Sequence, residues 1–173
     1  MRHAISVLLQ NEVGALTRMT GMFSSRGYNI DSLNVAPTDD PTVSRVTLVI
    51  SGSDAAISQL NTQLAKLVDV VNIHDMTLGE HFERELCIVK LKLATGGLAR
   101  ALAFAKKHGA EILDDAQVSC TIQLTGRVAE IDAFVADAAD VGQLSAVARS
   151  GSVAVSKGEV TLSSFDAHHH LSG

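Results

Sequence analysis

Apolar and polar residues alternate along the first ten positions and then fall into a three-to-four-residue spacing, and this switch recurs along the chain. His3, Ile5, Val7 and Leu9 alternate with Ala4, Ser6 and Leu8, which predicts a strand ending at the turn Gln10, Asn11, Glu12. Leu16, Met19, Thr20 and Phe23 then fall on one helical face, and Gly27 stops the helix. Residues 29–35 predict a second strand and residues 43–50 a third. The connection between them, APTDDP, holds both prolines of the chain, and neither can donate a backbone hydrogen bond. Ser53 and Asp54 offer an N-cap to a helix with the apolar stripe Ile57, Leu60, Leu64 and Leu67, and residues 68–73 close the unit as a short strand.

The pattern repeats after a charged link, GEHFER, at residues 79–84. Cys87, Val89, Leu91 and Leu93 alternate with Lys90 and Lys92; Gly96 and Gly97 open a helix carrying Leu98, Ala101, Leu102 and Ala105, which ends near His108 and Gly109. A short strand at 111–113 and a cleanly alternating one, Val118, Cys120, Ile122 and Leu124, lead to a helix marked by Val128, Ile131, Val135 and Ala138, then a last strand at 144–148. The order is βαββαβ twice. The expected fold class is α+β: two ferredoxin-like domains at 1–78 and 79–160, each with two helices on one sheet face, and a flexible tail at 161–173. The bare sheet faces and exposed edges of such small units predict a homodimer.

Composition narrows the function. The chain has 173 residues, 46% of them hydrophobic, enough for one core or two small ones. Fourteen basic against nineteen acidic residues give a net charge of -5, with no Lys/Arg run, so neither nucleic acid nor an anionic membrane is an expected partner. No apolar run reaches the roughly 18 residues that span a bilayer, and Met1, Arg2 and His3 lead into a strand instead of a signal-peptide core, so the expected location is the cytoplasm. Cys87 and Cys120 occupy apolar strand positions and read as core thiols. His74, His81 and His108 are too scattered for a triad, Asp39 with Asp40 and Asp114 with Asp115 read as turns, and His168, His169 and His170 fall in the tail. No catalytic residue, metal site or cofactor of the chain's own is expected.

The turn in QNEVGAL is the candidate site. The backbone N–H groups of Val13, Gly14, Ala15 and Leu16 open a helix without helical partners, and the helix dipole adds to their attraction for a carboxylate. Gly14 lets a ligand approach the backbone, Asn11 offers an amide oxygen to an ammonium, and Ile30 and Val35 offer an apolar wall, so an aliphatic amino acid fits. A turn glycine at a helix start explains the same stretch without any ligand.

The motifs NEVGAL, RGYNIDSL, APTDDP and ARSG, in this order, resemble the small regulatory subunit of acetolactate synthase, whose N-terminal part is an ACT domain. The resemblance runs to about Glu159, with the segment ATGGLARALAFAKKHGAEILDDA departing from it and the tail SSFDAHHHLSG outside it. It implies association with a thiamine-diphosphate- and Mg-dependent large catalytic subunit, activation of that subunit, and feedback inhibition by valine. It also implies a pocket at a dimer interface, with Asn11, Gly14, Ala15 and Leu16 from one chain and Asn29 and Ile30 from its partner. A free-standing tandem ACT sensor acting on a transcriptional or signalling partner is the alternative.

Overall fold

A computed structural model describes residues 1–162; the histidine-containing stretch of the tail lies outside the described residues. The described chain divides into two units, Met1–Phe82 together with residues 152–162, and Glu83–Gly151.

In the first unit β1 (Arg2–Gln10), β2 (Ile30–Pro37), β3 (Val43–Ser51) and β4 (Val70–Asp75) form an antiparallel sheet in the order β2-β3-β1-β4. Helices α1 (Ala15–Ser25) and α2 (Asp54–Leu64) lie on one face. The core between them joins Ile5, Val7 and Leu9 of β1 and Val46, Leu48 and Ile50 of β3 to Ala15, Met19 and Phe23 of α1 and Ile57, Leu60 and Leu64 of α2. Ser53 caps α2 as expected, its side chain accepting from the Ala56 N–H. The stripe of α1 differs from expectation: Ala15, not Leu16, faces the core, and Leu16 is partly exposed. Both residues fit the same helical period, and the sheet selects the face where a small side chain permits close approach.

The second unit repeats the topology. Strands β5 (His81–Lys92), β6 (Glu111–Ala116), β7 (Ser119–Gly126) and β8 (Gln143–Arg149) run in the order β6-β7-β5-β8, with α3 (Leu98–His108) and α4 (Val128–Val141) packed on one face. Gly109 ends α3 in the left-handed conformation, and Arg127 with Glu130 closes the start of α4 as a capping box. The GEHFER stretch is mostly strand, since His81–Arg84 belong to β5. Its charged residues continue the alternation that buries Glu85 and Cys87. Phe104 and Phe134 stack at 5.1 Å in the core beside Cys87 and Cys120, which are fully buried; burial pushes both thiols up in pKa.

A ninth strand, β9 (Val153–Ser156), pairs with β5 and is grouped by its contacts with the first unit. Ala154 packs with Ala4, Val49 and Met76, on the sheet face away from the helices, and the Lys157 N–H donates to Glu80 O. Ala4, Ser6, Leu8, Thr47 and Val49 are all buried there. The expectation of a bare face is therefore corrected for the first unit, and by contacts the chain divides at 82/83. A strand of only four residues, Val153–Ser156, is too short to be read from sequence. Among the described residues no helix is long and apolar enough to cross a membrane.

Candidate functional site

The turn after β1 is anchored on two sides. The Asn11 N–H donates to Thr42 O at 2.7 Å and its side-chain Nδ2 donates to Pro41 O at 3.0 Å, tying it to the connection before β3. The Gln10 N–H donates to Asp69 O at 2.8 Å, just before β4. With the amide nitrogen so engaged, the Asn11 carbonyl oxygen is the side-chain atom able to accept from an ammonium.

Gly14 adopts φ 86, a conformation that strains any residue with a Cβ, and α1 starts directly after it. The four amides named from sequence are not equivalent. The Ala15 N–H donates to Glu12 O at 3.2 Å and the residue is buried, so this amide is already engaged. Leu16 lies at the exposed first turn of the helix, Val13 projects fully into solvent, and Asn11 is exposed as well.

Two residues missed in the sequence belong to this turn. Arg18 Nε and Nη2 donate to Asp69 Oδ2 and Oδ1 at 2.6 and 2.7 Å, a two-pronged ion pair between half-exposed and buried partners. These hydrogen bonds hold the Asp69 carboxyl below its ordinary pKa and raise that of the arginine. Arg18 Nη1 sits 2.7 Å from the place where a Cβ on Gly14 would lie. The spacing of Gly14 and Arg18, one helical turn apart, was visible; the far partner Asp69 was not.

Asn29 and Ile30 lie elsewhere in the chain. Ile30 pairs with Ile50, which pairs with His3, whereas the turn follows Gln10 at the other end of β1. The separation along the sheet is about 23 Å, at a strand rise of roughly 3.3 Å per residue. Asn29 is exposed and its amide reaches Asp31 at 3.5 Å, while Ile30 is half-buried against the core. Val35 is level with Val46 and Val7, nearer the turn, and partly exposed on the edge strand. The structure thus groups Asn11, Val13, Gly14, Ala15 and Leu16 and separates Asn29 and Ile30 from them within one chain.

A cleft of about 300 Å³ lined by Arg26, Tyr28, Gln59, Leu60 and Gln63 contains none of these residues. Asp40, read from sequence as a turn residue, accepts from the Thr42 N–H and hydroxyl at 2.9 and 2.7 Å, which lowers its pKa and fixes the loop. Among the described residues no cluster of three metal-ligating side chains occurs.

Residues 5–72 match the family model for the ACT domain of acetohydroxyacid synthase small subunits, and residues 84–158 match that for the small subunit of acetolactate synthase. The chain is 44% identical over 159 residues to the acetolactate synthase isozyme 3 small subunit of Escherichia coli K12, covering 92% of this chain and 98% of that protein. It is 31% identical over 161 residues to a probable acetolactate synthase small subunit of Methanothermobacter thermautotrophicus, covering 92% and 95%. The crystal structure of the acetolactate synthase small subunit from Thermotoga maritima superposes with a TM-score of 0.83 at 26% identity, covering 92% of this chain and 99% of that one.

Proposed function

The chain belongs to the acetolactate synthase small-subunit family, and from that premise we propose that it senses a branched-chain amino acid, valine first, and passes the signal to a large catalytic subunit. The large subunit carries the thiamine diphosphate and Mg²⁺ and makes acetolactate; the small chain, acting in the cytoplasm, raises that activity and lowers it again when valine binds. It contributes no reacting group of its own.

The observation that supports this reading best is the separation of the site residues. Asn11, Gly14 and the amides at the start of α1 form half of a receptor for an amino acid's ammonium and carboxylate, and Asn29 and Ile30 lie at the far end of the sheet. A second copy, paired antiparallel along the edge strand β2, would bring its Asn29 beside the first copy's turn and would cover Val13, Leu16 and Val35, which are exposed in the single chain. An isologous pairing makes two such sites.

The test mixes the purified chain with its cognate large subunit. Acetolactate formation is expected to rise on addition of the small chain, fall on addition of valine, and be absent for the small chain alone with thiamine diphosphate and Mg²⁺. A small chain that leaves the large subunit's rate and valine response unchanged would overturn the proposal.

A further inference from the structure

Arg18 is placed by its own helix and by Asp69. Its N–H donates to Gly14 O at 2.9 Å, and its side chain leans back toward the helix start, as helical side chains do. Asp69 holds both sides of the same turn: its backbone oxygen takes the Gln10 N–H and its carboxylate takes Nε and Nη2 of Arg18. The third guanidinium nitrogen, Nη1, stands outside that pair and over the bare Cα face of Gly14, the residue that opens α1. A guanidinium fixed in this way has already lost its rotamer freedom before a ligand arrives, so an added hydrogen bond costs little ordering.

We propose that Arg18, oriented by Asp69, is a recognition residue of the amino-acid site: Nη1 donates to the ligand's carboxylate beside the free helix amides. The inference rests on the amino-acid-sensing reading above. Because Asp69 balances the arginine's charge, the contribution is a directed, charge-assisted hydrogen bond more than a long-range attraction. Asp69 itself acts only through Arg18 and is a positioning residue.

The experiment is calorimetric titration of the full-length dimer with valine and with valinamide, whose uncharged carboxamide replaces the carboxylate. In the wild type valine should bind better. Arg18→Gln should reduce the valine-to-valinamide affinity ratio by about tenfold, the scale of one charge-assisted hydrogen bond. Asp69→Asn, which frees the guanidinium without approaching the ligand, should reduce it by less. Arg18→Lys keeps the charge, serves if the glutamine variant fails to fold, and should recover part of the ratio. A purely structural role for Arg18 weakens both ligands alike, so an unchanged ratio in a folded Arg18 variant overturns the inference and leaves the sensing proposal standing. A wild-type chain that binds neither valine nor another branched-chain amino acid overturns both.

Discussion

Gly14 and Gly21 sit in the same stretch of chain and should respond oppositely to alanine. Gly14 is at φ 86, and a Cβ there would press on Arg18 Nη1 at 2.7 Å. Gly21 lies inside α1 with nothing within 4 Å of the added atom. In urea unfolding, Gly14→Ala is expected to lose about 1–2 kcal/mol and to weaken valine response, whereas Gly21→Ala should gain about 0.5–1 kcal/mol. Asp69 adds a pH dependence. Its folded pKa is depressed, so the stability it contributes is fully present above the ordinary carboxylate value and is lost as pH falls through the folded one. The urea midpoint of the wild type should therefore drop on acidification below about pH 4, and Asp69→Asn should show a shallower drop. The glycine was legible because a polar turn feeding a helix is a local pattern. The Arg18–Asp69 pair joins residues 51 positions apart, and no spacing rule links them.

At the scale of elements, the edge strand β2 decides what the turn can become. The register puts Ile30, next to Asn29, level with His3, at the far end of the sheet from Asn11 and Gly14, so a pocket of the proposed composition needs two chains. Gly14→Asp places a carboxylate and a Cβ where the ligand's carboxylate should approach, and Asn29→Ala removes the contact from the other chain; each homodimer should lose valine inhibition. A verified heterodimer of the two variants holds one doubly altered site and one unaltered site, and titration should recover about half the valine capacity, following two-fold symmetry. Recovery of no site, or normal binding by either homodimer, would refute the shared pocket. The βαββαβ order was readable because strand and helix periods differ, but the buried face of α1 was not, since Ala15 and Leu16 fit the same spacing and only the sheet chooses between them.

For the whole molecule, the returning segment ties the C-terminal part of the described chain to the first unit. Ala154 is buried with Ala4, Val49 and Met76, and Arg45 joins Ser6 and the backbone oxygen of Leu162 on the same unit. Ala154→Asp sets an unpaired carboxylate among these apolar side chains and is expected to destabilise the first unit by about 3 kcal/mol. Tyr28 is the sole tyrosine in a chain without tryptophan, so its fluorescence during urea unfolding reports this unit. An Ala154→Asp protein unfolding at the wild-type midpoint would show that β9 carries no stability. A fragment of residues 1–78 lacks this cover and should unfold earlier than the same unit in the full chain.

By itself the sequence determined the α+β class, the doubled βαββαβ order, the burial of both cysteines and the turn at Gly14, because each is written in neighbouring residues through hydrophobic period, capping chemistry and glycine placement. Tertiary structure alone decided that Ala15 faces the core, that Asp69 holds Arg18 over the turn, that Asn29 lies a sheet's length from Asn11, and that Ala154 of β9 packs with Ala4, Val49 and Met76. These outcomes depend on strand register and on contacts between residues far apart in the chain. Such contacts are fixed only when the packed core selects one arrangement among several that the local patterns allow equally.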